Sequence, residues 1–311
     1  MKIINGDFEN LSSSEPICVA LGTFDGVHRG HQAIIREAVD IAKQMGIKSA
    51  VLTFNQHPRS ILFETGGPKI ITDNSSKATI IETLGVDYLF FVNFDKTLKD
   101  MEDKEFLKSL VTNLKAKVIV CGYNYTFGKE GRGNTLLLHQ SKDVHGYELN
   151  VVERVSFSTQ KISSTIIREK ISTGNIKEAN RLLGYNLFQS GVIVAGKGLA
   201  HTIGFPTANV IIDDKLSFKN GVYITLSHID NSIYPSITNI GYTPTVESKF
   251  RVMETNIFDF NKDIYGKEIK VEFLEFLRDE TKFDSVGELI QKISHDIETA
   301  KEYFKNNIYN S

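Results

Sequence analysis

The densest group of residues that could do chemistry is GTFDGVHRGHQ, residues 22–32, which joins an apolar run to a helical pattern. His28, Gly30 and His31 form an H-x-G-H pattern, expected by chance about 0.015 times in a chain of this composition. The start of a helix offers free N–H groups and partial positive charge to a phosphate, and Gly26 lets the backbone approach closely. The two imidazoles can donate hydrogen bonds to charge that develops on a phosphoryl group. The segment therefore predicts phosphate chemistry at a helix N-terminus.

Two other interpretations of these histidines stay open. His28 and His31 could bind a metal ion together with His57, but the sequence places no Cys or close carboxylate to complete such a set. They could also be surface histidines at a helix start, with no chemical role.

A second phosphate-type element is KISSTIIREK, residues 161–170. Ser163, Ser164 and Thr165 can cap a helix, and Arg168 lies on its first turn. Alone, this pattern is typical of an ordinary helix cap with a solvated arginine. Its presence in the same chain as the H-x-G-H pattern favours phosphate binding.

An aromatic segment, CGYNYTFGKEGRGN, follows the end of a predicted strand at residues 121–134. Tyr123, Tyr125 and Phe127 would suit a flat aromatic ligand, although they could equally be core residues. The glycine-rich part that follows could be no more than a surface turn.

The second half of the chain contains GFPTAN, residues 204–209. Gly204 and Pro206 fix a turn, while Thr207 supplies a hydroxyl and Asn209 an amide oxygen on one face of an extended segment. Such hard oxygen ligands suit Mg²⁺ that bridges nucleotide phosphates. Taken alone, the hexapeptide is typical of a simple proline turn.

One carboxylate, Glu254, lies in a predicted strand between apolar residues. Because alternate strand residues face opposite sides, and Met253 and Ile257 are apolar, we expect Glu254 to project away from Met253. We expect it to face a cleft shared with Thr207 and Asn209. The alternative is a solvent-facing strand carboxylate without a function.

The elements that must position the first group of residues alternate between strand and helix. Strands are predicted at residues 17–21, 49–54, 88–92 and 118–121, and helices at 34–45, 76–84 and 103–114. This rhythm predicts a parallel sheet covered by helices, with ligands bound beyond the carboxyl ends of the strands.

The pattern changes after about residue 185. Asn175 and Glu178 can cap a short helix that ends at Gly184. From Ser190 onward, β-branched residues alternate with Gly and Pro turns, which predicts an antiparallel barrel or sandwich. A final helix begins at a Ser285–Glu288 capping box. Its buried stripe is predicted to consist of Val286, Leu289, Ile293, Ile297, Ala300 and Phe304.

The bulk properties exclude several classes of protein. The 311 residues carry a net charge of −2, which is not typical of a nucleic-acid binder or of a protein held on a charged membrane. No apolar run reaches the roughly 20 residues that cross a bilayer, and no signal peptide is recognisable. Cys18 and Cys121 lie in apolar runs and are expected to be buried thiols. These features indicate a soluble protein of the cytosol.

The first half resembles a known module. GTFDGVHRGHQ, TFNQHPR, GYNYTFGKEGRGNTLL and ISSTIIR occur in this order and are similar to the FMN adenylyltransferase module of bacterial bifunctional riboflavin kinase/FAD synthetases. The resemblance implies that His28, His31 and Arg168 are catalytic. The ATP-binding residues that it implies are Gly22, Thr23, Phe24, Asp25, Gly30, Ser163, Ser164 and Thr165. The flavin-binding residues that it implies are Phe54, His57, Pro58, Asn124, Tyr125 and Phe127. Gln56 and Asn124 depart from the Pro and Asp common in relatives.

The second half resembles the riboflavin kinase module of the same enzymes. The resemblance assigns Thr207 and Asn209 to Mg²⁺ with ATP, Glu254 to a general base, and Arg278 to a loop near the flavin. Gly204 and Pro206 would form the turn that binds the nucleotide. One departure is Ala200-His201, where relatives usually carry Gly-Arg; a neutral His attracts phosphate less than a permanent Arg charge.

The resemblance covers nearly the whole chain and sets the expectation for fold and function. We expect an α/β Rossmann-like nucleotidylyltransferase domain at residues 1–184, then a six-stranded antiparallel β-barrel riboflavin kinase domain with a C-terminal helix at 185–311. The implied reactions phosphorylate riboflavin to FMN with ATP and adenylylate FMN to FAD with Mg²⁺. The alternative is an FMN adenylyltransferase whose barrel only binds flavin or regulates. The sequence leaves the oligomeric state open.

Overall fold

The computed structural model describes residues 1–62, 66–157, 160–195, 204–244 and 249–307. The chain divides into two compact units, Met1–Ser164 and Thr165–Ser311. None of the helices within these ranges is long and apolar enough to cross a membrane.

The first unit is an α/β layer structure. Its strands are β1 (Lys2–Asp7), β2 (Ile17–Leu21), β3 (Lys48–Phe54), β4 (Tyr88–Asn93), β5 (Ala116–Gly122), β6 (Thr126–Phe127), β7 (Gly133–Asn134), β8 (Glu148–Val152), β9 (Ser156–Phe157) and β10 (Gln160–Lys161). Its helices are α1 (Arg29–Met45), α2 (Arg59–Leu62), α3 (Asn74–Thr83), α4 (Lys96–Asp100), α5 (Asp103–Thr112) and α6 (Thr135–His145). Six parallel strands form the main sheet in the order β1-β4-β3-β2-β5-β8.

The centre of this sheet follows directly from the sequence. All five residues of β2 are buried, as expected for a strand covered on both faces. Helix α1 ends where Gly46 adopts φ 65°, a left-handed conformation that glycine tolerates without strain. The predicted strands and helices of this half are confirmed, with ends that shift by at most two residues, except that α1 begins at Arg29, five residues before the predicted start. Cys18 and Cys121 are buried and free, as predicted.

Two edge strands and a helix are among the elements of the first unit that were not predicted. Strand β1 pairs with β4, strand β8 pairs with β5, and both lie at the edges of the sheet. Their residues are mostly exposed or half-buried, so neither strand has the apolar run that marks a central strand. Helix α6 buries only Leu138, so its apolar period is weak as well.

The second unit is a β structure flanked by helices. Its helices are α7 (Ser164–Ser172, which starts at the last residue of the first unit), α8 (Ile176–Leu183) and α9 (Val286–Asn306). Its strands are β11 (Phe188–Val192), β12 (Ala208–Ile212), β13 (Gly221–Ile229), β14 (Ser232–Pro244), β15 (Lys249–Ile257) and β16 (Glu268–Arg278). The strands are antiparallel in the order β11-β16-β13-β14-β15-β12.

The two outer strands of this sheet approach each other, so the sheet is a nearly closed barrel. Val194 forms an isolated bridge with Asn209. A Cβ atom on Gly191 would lie 2.3 Å from Cγ1 of Val210, so the strands come together where a glycine leaves room. This confirms the barrel and decides against the open sandwich.

The helices of the second unit confirm two predicted caps and correct one detail. The side chain of Asn175 accepts a hydrogen bond from the Glu178 amide, and Ser285 Oγ does the same for Glu288. Val286, however, is 55% exposed, so its predicted place in the buried stripe of α9 is wrong. The helical period identifies a face, but it does not show where along α9 the packing against the barrel begins.

Candidate active sites

The first site is built on a strained turn between β2 and α1. Phe24 has φ 46° and Val27 has φ 32°, although neither is glycine, and Gly26 between them has φ 73°. A β-branched residue such as Val27 is rarely found at positive φ. Such backbone persists only where its surroundings hold it, and it is concentrated at functional sites.

Several hydrogen bonds, including the following five, hold this turn in place. At its start, the carbonyl of Thr23 accepts from Thr53 Oγ1 at 2.9 Å and from Lys77 Nζ at 3.3 Å. In its middle, Asp25 Oδ1 accepts from the Ile71 amide at 2.9 Å, and the Gly26 amide donates to Thr72 Oγ1 at 3.2 Å. The fifth bond runs from Ser164 Oγ to the carbonyl of Asp25 at 3.0 Å. The turn is therefore fixed from the neighbouring strands, from the segment before α3, and from the start of α7.

The two histidines lie stacked at the start of α1. Their ring centroids are 3.6 Å apart. His28 is the N-cap residue of α1, since its Nδ1 accepts a hydrogen bond from the His31 amide at 3.3 Å. This bond places the ring proton of a neutral His28 on Nε2, which leaves Nε2–H free to act as a donor. The Nδ1 atom of His31 is buried and has no hydrogen-bond partner among the described residues.

Burial keeps both imidazoles neutral. It lowers the pKa of His28 from 6.5 to about 4. It also lowers the pKa of His31 well below its usual value, with smaller contributions from the neighbouring His28 and Lys77. Neutral imidazoles do not neutralise a phosphate by charge, so they can act here as hydrogen-bond donors at fixed positions.

The alternative of a metal site at the histidines depends on which possible ligands lie close together. Within the described ranges, no group of three or more His, Cys, Asp or Glu side chains is placed to hold a metal ion. Instead, His57 Nδ1 accepts a hydrogen bond from the Arg59 amide at 3.2 Å, close to the start of α2. His57 thus belongs to the segment that follows β3.

The segments predicted to hold a flavin follow the carboxyl ends of β3 and β5. Phe54 is half-buried and meets Phe94 edge to face at 5.5 Å, and Pro58 lies beside α2. Asn124 is exposed, whereas Tyr125 packs half-buried on Phe127 at 5.9 Å. Phe127 is only 6% exposed and belongs to the hydrophobic core, which is the alternative that the sequence left open for it.

The remaining phosphate-type residues lie at the start of α7. Ser163 and Ser164 are half-buried, and Ser164 bonds to Asp25 as described. Thr165 is exposed, and its Oγ1 accepts a hydrogen bond from Arg168 Nη2 at 3.3 Å. The predicted roles of Thr165 and Arg168 in ATP binding stay predictions.

The second site is a polar row across three strands of the barrel. In the register of the sheet, Glu254 on β15 lies opposite Asn209 on β12 and opposite Asn239 on β14. Met253, the neighbour of Glu254, is fully buried inside the barrel. The alternation of the strand therefore places Glu254 on the outer face.

Glu254 lines a cleft of about 200 Å³ on that outer face. Thr207 and Arg278 line the same cleft, as do apolar residues of the barrel and of α9 such as Ile237 and Leu289. Asn209, which was predicted to share the cleft, is not among the described residues that line it. The predicted projection of Glu254 away from Met253, into a cleft that it shares with Thr207, is confirmed. Asn209 is its neighbour in register and is only 7% exposed.

The GFPTAN turn sits between two hollows. Thr207 also lines a second hollow of about 390 Å³, together with Pro206, Ile264 and Tyr265. The turn is held by Asn256, whose Nδ2 donates to the carbonyl of Pro206 at 2.8 Å. A second hydrogen bond in the turn runs from Asn209 Nδ2 to the carbonyl of Thr207 at 3.1 Å. Gly204 has a positive φ of 91°. Ala200-His201 lies outside the described residues.

Arg278 is oriented by a buried carboxylate. Its Nε and Nη2 atoms donate to Asp296 Oδ2 on α9 at 2.9 and 2.7 Å, and Nη1 donates to the carbonyl of Asp279 at 3.0 Å. The side chain of Asp296 is 2% exposed. A bidentate pair of this kind fixes the plane of the guanidinium at the edge of the cleft.

Sequence reasoning missed several residues of these sites. Asn239, Asn256 and Asp296 line the Glu254 cleft, and Lys77 reaches the strained turn. Strand register, which brings Asn239 beside Glu254, is not visible in a single segment. Asp296 could have been suspected, because a carboxylate on the apolar side of a helix is unusual.

Two family models match the chain. One, described as FAD synthetase, covers residues 10–166, and one, described as riboflavin kinase, covers residues 183–304. Two similar proteins are each named "Bifunctional riboflavin kinase/FMN adenylyltransferase". The protein of Bacillus subtilis (strain 168) is 36% identical over 93% of this chain and 92% of its own length. That of Escherichia coli (strain K12) is 32% identical over 98% of each chain.

A solved structure is also similar over nearly the whole chain. It is titled as a macrolide-efflux protein from Streptococcus pneumoniae, and it superposes with a TM-score of 0.84 at 33% sequence identity. The match covers 97% of this chain and 99% of that one.

Proposed function

The chain belongs to the family of bifunctional riboflavin kinase/FMN adenylyltransferases, and we propose that its two sites divide the two reactions between them. The enzyme phosphorylates riboflavin to FMN and adenylylates FMN to FAD. We base this division on the family matches, because each of them contains one site: His28 and His31 lie in the first match, and Thr207 and Glu254 in the second.

Adenylyl transfer is assigned to the strained turn and the start of α1. The phosphate of FMN is already an anion at neutral pH, so its oxygen can attack the α-phosphorus of ATP without a strong base, and pyrophosphate leaves. The chain then has to align the reactants and stabilise the charge that develops. Neutral His28 and His31 suit this task as donors at a helix N-terminus, where the backbone adds free N–H groups.

Riboflavin phosphorylation is assigned to the outer face of the barrel. The 5′-hydroxyl of riboflavin is a poor nucleophile, and a carboxylate within hydrogen-bond reach can take its proton as it attacks the γ-phosphorus of ATP and ADP leaves. Glu254 is the carboxylate of the cleft that stands in the polar row. We assign riboflavin to this cleft and the nucleotide to the larger hollow, because Thr207 lines both and can reach the phosphates between them.

The residues of the GFPTAN turn fit Mg²⁺. The hydroxyl of Thr207 and the amide oxygen of Asn209 are hard donors, which magnesium prefers, and two protein ligands leave most of its positions for water and phosphate. When bound, the ion would neutralise charge on the phosphates of ATP. The chain itself contributes the rigid turn, held by Asn256, that presents Thr207 beside Glu254.

We also propose residues 1–184 and 185–311 as the two catalytic domains, and the cytosol as the place of action. The segment that separates the two family matches, residues 167–182, ends two residues before the proposed boundary at residue 184. Cys18 and Cys121 are free thiols, which is compatible with a reducing compartment. Burial raises the pKa of each to about 12, so both are unreactive.

One experiment tests the proposal against its alternative. Purified protein is incubated with ATP, Mg²⁺ and either riboflavin or FMN, and the products are separated by chromatography. Formation of both FMN and FAD from riboflavin supports two active sites. Formation of FAD from supplied FMN, without any FMN from riboflavin, would favour the alternative in which the barrel only binds flavin or regulates.

A further inference from the structure

A buried lysine lies under the first site. Lys77 is on α3 and is 6% exposed. Its Nζ donates to the carbonyl of Thr23 at 3.3 Å and reaches the carbonyl of Phe54 at 3.5 Å. Thr23 precedes the strained turn, and Phe54 is the last residue of β3. The ammonium group therefore joins the carboxyl ends of two neighbouring strands of the sheet.

The charge of this lysine is surrounded by few countercharges. Asp25 in the turn and Asp73 at the start of α3 act on it favourably, His31 on α1 is neutral, and the ring of Phe91 on β4 lies 5.8 Å away. Burial dominates and lowers the pKa of Lys77 to about 8. A buried charge is costly, and a neutral amide could equally bridge two carbonyls. Because a neutral amide could fill a purely structural role, such a role does not explain why position 77 has an ionisable amine.

We propose that Lys77 is a positioning residue for adenylyl transfer: it holds the turn that presents His28 and His31, and it adds positive charge where ATP phosphates accumulate. The inference rests on the proposed function of the first site. Positive charge placed in advance in a water-poor region stabilises a developing negative charge more strongly than it would in water. The neutral histidines do not supply this charge, so the lysine and the histidines have complementary tasks.

The first test replaces Lys77 by methionine, which keeps most of the length and removes both the charge and the hydrogen bonds. We expect kcat for FAD formation from FMN to fall at least tenfold, with a smaller change in KM for FMN. FMN formation from riboflavin should be unchanged. The melting temperature is measured in parallel, so that a loss of activity is distinguished from a loss of the fold. Lys48→Met is the matched control, because Lys48 begins β3 at the amino ends of the strands, and its side chain is 45% exposed.

The second test is the pH profile, which a merely structural lysine would not alter. Lys77 is charged below a pKa of about 8 and neutral above it, so kcat for FAD formation in the wild type should decline as the pH rises through 8. Lys77→Arg keeps its charge in this range and should lack the decline, whereas Lys48→Met should retain it.

Either test can overturn the proposed role of Lys77. FAD formation by Lys77→Met within threefold of wild type would overturn it, and so would a wild-type profile that stays flat between about pH 7 and 9.5. If Lys77→Met does not fold, the profiles of the wild type and of Lys48→Met decide alone. A wild type that makes no FAD at all would refute the proposed function of the first site, whereas active Lys77→Met refutes only the inference.

Discussion

The two sites of this enzyme are built in opposite ways. In the first, the chain is forced into an unusual backbone conformation, with Phe24 and Val27 at positive φ, and the nearby histidines are buried and neutral. In the second, ordinary strands place Asn209, Glu254 and Asn239 side by side, with no positive φ at these positions.

The difference follows from the nucleophiles. The phosphate of FMN is an anion and needs alignment, which a rigid turn provides. The hydroxyl of riboflavin needs to lose a proton, and a carboxylate on a regular strand provides for that. In this enzyme, backbone strain is found at the site where alignment of the reactants does most of the catalysis. A titratable side chain is found at the site where a proton has to be transferred.

Separating the two units should have the largest effect. We expect a fragment of residues 185–311 to make FMN and to lose FAD formation completely, because the first site is absent. A longer fragment, residues 165–311, retains α8, where Asn180 Nδ2 donates to the carbonyl of Phe273 at 2.8 Å. The longer fragment should melt at a higher temperature. Product chromatography and circular dichroism measure both effects, and a folded 165–311 fragment without kinase activity would contradict the division.

Removing the base should have the next largest effect. Glu254→Gln keeps the shape of the side chain but accepts no proton, so riboflavin phosphorylation should slow by about a hundredfold or more. FAD formation from supplied FMN should be unchanged. Glu268→Gln, which changes an exposed carboxylate on strand β16 of the same barrel, is the control. A kinase rate within a few-fold of wild type would show that Glu254 is only a strand carboxylate.

Removing one imidazole, that of His31, should have a smaller effect, and the reaction affected should be FAD formation. His31→Ala should reduce FAD formation from FMN by at least about tenfold, which corresponds to one lost transition-state hydrogen bond. FMN formation from riboflavin should survive. His139→Ala, at an exposed position of α6, serves as the control. Equal loss of both activities in folded His31→Ala would end the separation of the two sites.

The smallest effect concerns acid stability. Between pH 6.5 and about 4, the unfolded chain binds a proton at His28 that the folded chain does not bind. Stability is therefore present above this range and is lost as the pH falls. The free energy of unfolding should drop by about 1 kcal/mol more in wild type than in His28→Asn between about pH 6 and pH 5.

Asn suits this comparison because it is a good N-cap without a proton to gain. Denaturant unfolding followed by circular dichroism measures the difference. Equal acid sensitivity of the two proteins would mean that His28 is not neutral in the folded state.

Sequence periodicity predicted the regular parts well, for a physical reason. Burial on both faces made the run Ile17–Leu21 apolar throughout, and alternation along β15 placed Glu254 outward from Met253. These features depend on local patterns, which a sequence contains in full.

Non-local features escaped prediction. The positive φ of Val27 contradicts its own conformational preference and is imposed by hydrogen bonds from elsewhere in the unit. Lys77 is a residue type that normally lies at the surface, and Asn239 depends on strand register. The edge strand β1 lacks the apolar run on which strand prediction depends.

The closure of the barrel has a consequence for whether one molecule associates with another. Strands β11 and β12 are the two outer strands of the sheet, and they meet where Gly191 packs against Val210 and Val194 bridges Asn209. An open sheet would expose two rows of unpaired backbone groups, which are templates for aggregation between molecules. The seam that brings Asn209 to the catalytic row therefore also protects the enzyme from self-association through its sheet edges.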